Sequence, residues 1–200
     1  MKRYDISQEI LGCEVYPGDP EPVYSQLAWI SRGDDYNLSA FSMCSHNGTH
    51  VDAPRHFCEK GRTIGDMGLE AFVGPVFVAE QQGAVTGDAV RQILEKAQKA
   101  GNDACRRILL KGKAMLTREG AEILAGAGLL LFGNEAQTVG TEENSMEVHR
   151  ILLGADMAIL EGIRLEDVPE GMYLLCAAPL NLGRAEGAPC RAVLLQLDET

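Results

Sequence analysis

From residue 75 onward, short apolar runs alternate with segments of helical spacing, and this alternation constrains the fold more than any other feature of the chain. Pro75–Glu80 (PVFVAE), Arg107–Lys111 (RILLK), Gly128–Phe132 (GLLLF), Asp156–Glu161 (DMAILE), Met172–Ala177 (MYLLCA) and Arg191–Leu197 (RAVLLQL) read as strands. Between them, Asp88–Ala100 places apolar residues at 89, 90, 93, 94 and 97 and is closed by Gly101, the pattern of an amphipathic helix. Thr117 is the expected cap of a helix over Arg118–Ala125, with Glu119 and Glu122 near its start. Thr141 is the expected cap of another over Glu142–Leu153, ended by Gly154. The first 74 residues are mostly strand and loop. Pro17-Gly18-Asp19-Pro20 marks a turn, and Val23–Ile30 and Tyr36–Ser45 are strand candidates. His46–Phe57 is expected to be irregular, because Gly48 and Pro54 both oppose a helix, and a loop follows to Gly74. The whole predicts an α/β fold with mixed sheet pairing, and a length of 200 residues suits a single domain over residues 1–200.

Charge and apolar content exclude several roles. The net charge of -11 disfavours nucleic acid and anionic membrane surfaces as partners. The longest apolar stretches, such as Gly128–Gly133, are too short to span a bilayer, and the opening MKRYDISQEI lacks the apolar run of a signal peptide. The six cysteines form no C-x-x-C pair, so reduced thiols in a cytoplasmic protein are expected.

The chemistry concentrates in one segment. Of the four histidines, His46, His50 and His56 crowd into residues 46–56, together with Asp52. Imidazoles and a carboxylate this close suit a divalent metal such as Zn, Mn or Fe. On a flat strand His46 and His50 would stand about 13 Å apart at roughly 3.3 Å per residue, too far for one ion, so the chain must bend between them. Gly48 permits the bend, His50 and Asp52 can share one side of an extended piece, and Pro54 stiffens the exit so that His56 can return. Cys44 and Cys58 flank the cluster and read as small buried residues rather than soft ligands. His149 falls on the predicted helix 142–153. Glu161 ends a strand after four apolar residues, so its carboxylate should be buried and in need of a partner.

His46-Asn47-Gly48-Thr49-His50-Val51-Asp52-Ala53-Pro54-Arg55-His56 fits the pattern H-x-G-T-H-x-D-x-P-x-H. With it go Tyr4-Asp5-Ile6-Ser7, Tyr16-Pro17-Gly18-Asp19, His149–Leu153, Ala158–Gly162, Ala178-Pro179-Leu180 and Gly187–Val193. In these blocks the chain resembles, from about residue 4 to 194, the cyclase family of metal-dependent hydrolases, which includes bacterial kynurenine formamidases (arylformamidases). The resemblance implies a swivelling β/β/α fold, a homodimer or homotetramer, and one or two divalent ions per chain, Zn or Mn. It implies His46, His50, Asp52, His149 and Glu161 as metal ligands, with Asp52 bridging, and His56 as the catalytic histidine. The expected reaction is hydrolysis of a small amide C–N bond, with an aryl formamide such as N-formylkynurenine as the leading case. A cyclic imide or isatin-type ring hydrolase and a non-catalytic metal-binding protein are the alternatives. Trp29, Tyr36, Phe41 and Phe57 are candidates to wall an aryl pocket. The chain departs from its relatives in the terse Lys111–Met115 and in Gly133–Thr138, two regions expected to shape the substrate pocket.

Overall fold

A computed structural model of the chain describes residues 1–101 and 106–196. Its strands are β1 (Lys2–Asp5), β2 (Val23–Ala28), β3 (Leu38–Ser42), β4 (His50–Asp52), β5 (Val73–Glu80), β6 (Gly83–Val85), β7 (Arg107–Lys111), β8 (Ala114–Leu116), β9 (Leu131–Asn134), β10 (Ala158–Glu161), β11 (Gly171–Cys176), β12 (Gly187–Pro189) and β13 (Val193–Gln196). The helices are α1 (Gly87–Gly101), α2 (Arg118–Gly126) and α3 (Ser145–Gly154).

Nine strands form one mixed sheet in the order β1-β13-β11-β5-β7-β9-β10-β4-β12. The centre, β5-β7-β9-β10, is parallel, and antiparallel strands extend it on both sides. A parallel strand buried on both faces should read as an unbroken apolar run, and β7 and β10 do. One face packs Val90, Ile93 and Ala97 of α1, Ala121 and Leu124 of α2, and Leu152 of α3 against Ile108, Phe132 and Ile159. The other face packs Val76, Val78, Leu109, Leu131 and Leu160 against Ile6, Phe72 and Leu194. The apolar stripe of α1 is thus the surface its spacing anticipates.

Several boundaries differ from the sequence expectation. The strand expected over Gly128–Phe132 begins at Leu131, because Gly128 takes φ 68° in the turn before it. The helix expected from Glu142 begins at Ser145. Asn144 Oδ1 accepts from the Thr141 N–H at 2.6 Å, which makes a turn of the residues expected to be the first helical ones. Thr117 caps α2 as expected, its hydroxyl accepting from Gly120 N–H at 3.1 Å. Within the segment expected to be irregular, His50–Asp52 is a strand paired on both sides. Leu197, the end of the last expected strand, and Cys105 lie outside the described residues. The strands β2 and β3 form a separate two-stranded ribbon, and nearly all of their side chains are exposed. Among the described residues no helix is long and apolar enough to cross a membrane.

Candidate metal centre

Strand register builds the centre. In the antiparallel pair β4/β10, His50 stands opposite Glu161 and Asp52 opposite Ile159. Opposite residues share a face, and so do residues two apart on a strand, so His50, Asp52 and Glu161 project together. Glu161 is the last residue of β10, at the C-terminal end of the parallel strands, where open α/β sheets gather their sites. Gly48 makes the expected bend with φ 64°. Thr49 pins it: its hydroxyl donates to the Gly162 carbonyl at 2.7 Å and accepts the Gln8 N–H at 2.9 Å. Pro54 opens a single helical turn to His56, and this turn sends the His56 ring back over His46, with centroids 4.1 Å apart. His149 arrives from α3.

The six residues expected from the sequence therefore converge. Asp52 is fully buried. Its Oδ1 lies 2.8 Å from His46 Nδ1 and 3.4 Å from His50 Nε2, and its Oδ2 lies 3.6 Å from His149 Nε2. Glu161 Oε2 and Oε1 lie 3.3 and 3.4 Å from His50 and His149 Nε2. His50 donates Nδ1–H to the Gly48 carbonyl at 3.0 Å and His149 donates its own to the Ser145 carbonyl at 2.8 Å, so both Nε2 atoms face the carboxylates. His50 Nε2, Asp52 Oδ2 and Glu161 Oε1 are buried without a hydrogen-bond partner, a cost that a cation between them would remove. Two clusters have all their ligand atoms within 4.8 Å of one another: His46, Asp52 and His56, and His50, Asp52 and Glu161. These nitrogen and oxygen donors fit a divalent transition metal.

The electrostatics follow from the two carboxylates. Burial alone would lower the His50 and His149 imidazoles, but the facing Asp52 and Glu161 outweigh it and raise both to about 10. The same contest, with Asp52 as the main partner, raises His46. Burial of Asp52 is outweighed by the imidazoles of His149, His46 and His50, which hold its carboxyl well below the usual range. His56 goes the other way: burial pushes it down, so it is neutral at neutral pH. Glu161 is buried as expected and faces two imidazoles, while its Oε1 has no hydrogen-bond partner.

A cavity of ≈ 410 Å³ opens over this cluster, lined by His46, His50, His56, His149 and Glu161 and walled by Phe57. Phe57 stacks on His149, centroids 4.6 Å apart. Of the other aromatic candidates, Trp29, Tyr36 and Phe41 lie on or beside the ribbon and are not among the residues lining this cavity. Gln137 and Thr138 do line it, as expected for that region, whereas Lys111–Met115 does not. Cys44 lines the cavity and Cys58 packs against the core, and both are half-buried. Tyr16 and Asp19 line the cavity as well, and spacing alone gave no signal for them, because a turn motif carries no address in three dimensions. Glu186, 3.3 Å from His46 Nε2, carries no sequence signal either, because its approach depends on the pairing of β12 with β4.

The Cyclase family model matches residues 4–141. The chain is 33% identical over 209 residues to a kynurenine formamidase of Erythrobacter litoralis (strain HTCC2594), covering 98% of this chain and 94% of that protein. It is 32% identical to one of Paracidovorax citrulli (strain AAC00-1), covering 96% and 95%. A solved structure described as a predicted metal-dependent hydrolase from Bacillus stearothermophilus is 28% identical with a TM-score of 0.79, covering 96% of this chain and 97% of that one. An isatin hydrolase bound to the product analogue thioisatinate shares the fold, with a TM-score of 0.83 at 16% identity and coverage of 98% and 92%. The motif of residues 46–56, the residues that converge on Asp52 and these full-length likenesses agree: the chain belongs to the Cyclase family.

Proposed function

We propose that the protein is a metal-dependent hydrolase of a small non-peptide amide C–N bond, and that an aryl formamide of the N-formylkynurenine kind is its substrate, giving an amine and formate. The observation that carries this reading is the pair of imidazole Nε2 atoms facing two buried carboxylates beneath a cavity of small-molecule size. His46, His50 and Asp52 would hold one ion and Asp52, His149 and Glu161 a second. Asp52 would belong to both sets, since its Oδ1 faces His46 and His50 and its Oδ2 faces His149. Zn or Mn suits this set. When bound, such an ion acidifies water and polarises a carbonyl oxygen.

The chain's own residues do the rest. His56 is neutral and reaches the cavity, so it takes a proton from the attacking water and hands it to the leaving nitrogen. Phe57 offers an apolar wall for an aryl ring. Asp52 and Glu161 fix the ligand imidazoles by charge. The kynurenine formamidase relatives, at 31–33% identity across nearly the whole chain, favour the formamide over a cyclic imide.

We assign the protein to the cytoplasm as a homo-oligomer, a dimer or tetramer. The free half-buried thiols support the first and the exposed apolar ribbon the second. The test is hydrolysis of formyl-anilides and of isatin by protein reconstituted with Zn or Mn. Turnover of formyl-anilides above isatin is expected. Faster opening of isatin would reassign the substrate, and bound metal with no turnover of either would leave a binding protein.

A further inference from the structure

The imidazoles of His46, His50 and His149 each turn one nitrogen toward Asp52 and have the other held by a neighbouring acceptor. His50 and His149 are tied at Nδ1 by backbone carbonyls. His46 is turned the other way. Its Nδ1 faces Asp52 Oδ1 at 2.8 Å, and its Nε2 faces a carboxylate, Glu186 Oε1, at 3.3 Å. Building on the metal reading above, we propose that Glu186 is a positioning residue: it accepts the Nε2–H of His46, fixing the tautomer that leaves Nδ1 bare for the ion beside Asp52.

The surroundings hold Glu186 to this task. The Ser45 hydroxyl donates to the same Oε1 at 2.7 Å, and the Glu186 backbone carbonyl accepts the Ala53 N–H at 2.8 Å, directly after Asp52. The next residue, Gly187, pairs with Asp52 in the sheet. A Cβ there would lie 2.5 Å from His46 Cε1, so the ring rests against bare backbone. One face of the ring is thus set by β12, the other by the stacked His56, and its far nitrogen by Glu186. Ligand imidazoles commonly give their second N–H to a carboxylate or carbonyl, which orients the ring and raises its basicity. Glu186 is 42% exposed, so water screens its charge, and what it supplies is chiefly a placed acceptor.

The test compares Glu186→Met, which keeps length without an acceptor, Glu186→Ala, and Glu186→Gln, whose amide oxygen still accepts. Affinity for Zn is read by chelator competition, the ligand field by the visible spectrum of the Co(II) form, and folding by thermal melting. Loss of the acceptor should weaken binding by about 10–100-fold and alter the Co(II) spectrum, while the glutamine variant stays close to the parent. Two results overturn the proposal: Met and Ala variants that match the parent in affinity and spectrum, or a Gln variant that loses as much as they do. Should either apolar variant fail to fold, the other decides. A parent protein that binds no Zn at all would instead overturn the metal reading, and the role of Glu186 with it.

Discussion

Asp52 and Glu161 are each faced by imidazoles, and that arrangement makes protons and metal ions competitors. His50 and His149, raised to about 10 from the usual 6.5, carry protons at neutral pH in chelator-treated protein. Because ligand nitrogens must be bare, filling both ion positions expels roughly two protons between pH 7 and 8, one from each imidazole. Calorimetry in buffers of different ionisation enthalpy should read this release, and a buffer-independent heat would refute it. The linkage fixes a sign as well. A raised folded value means stability fully present below about 6.5 and lost as pH rises through about 10, so chelated protein should melt progressively lower across that window. The metal-loaded protein should bind its ion more tightly over the same rise. Roles separate by substitution. His50→Ala should lose metal and activity together, whereas His56→Ala should keep its metal and lose turnover by roughly 10²–10⁴-fold. Metal analysis alongside kcat decides, and a His56→Ala protein without metal would make His56 a ligand. At this scale the motif 46–56 was legible because its residues crowd locally. Glu186 was not, since its link to His46 exists only through the pairing of β12 with β4.

Arg107 opens β7 at the end of the sheet opposite Glu161 and is buried. Its guanidinium donates to the carbonyls of Ala71 at 3.0 Å, Pro75 at 3.2 Å and Val73 at 2.9 Å, and to that of Glu70. One side chain thus secures the bend that feeds β5. Arg107→Met keeps the apolar stem and orphans these acceptors, so it should cost about 2–4 kcal/mol in denaturant unfolding while kcat of the folded fraction stays unchanged. A loss under about 0.5 kcal/mol would mean that water replaces the guanidinium fully. The elements that were readable in advance, α1, β7 and α2, carry strong periodicity or a short continuous apolar run. Those that were not, β1, β6, β8 and β12, are three or four residues long and owe their extended form to a neighbour. The late start of α3 turned on one amide oxygen at Asn144, a competition between cap and turn that composition does not resolve.

For the molecule as a whole, the ribbon of β2 and β3 stands out. Tyr24, Leu27, Ile30 and Phe41 are each more than half exposed, and a lone two-stranded ribbon is marginal in water. If a second copy covers it, Leu27→Ser with Phe41→Ser should shift sedimentation toward the monomer without unfolding the nine-stranded sheet. An unchanged sedimentation coefficient would remove the ribbon from the contact. The α/β class was legible from the alternation of elements, but the detachment of the ribbon was not, because a strand pattern does not say which sheet the strand joins. The sheet order has a further consequence, in time rather than space. β4 lies between β10 and β12, so the histidines of residues 46–56 are synthesised about a hundred residues before Glu161, some 5–20 s at ordinary elongation rates. Through that interval the nascent chain holds imidazoles with no Glu161 to complete their pocket. The strand that carries them finds its place only when the last quarter of the chain has emerged, so the grouping of Asp52 with His149 and Glu161 is the last part of the centre to be completed.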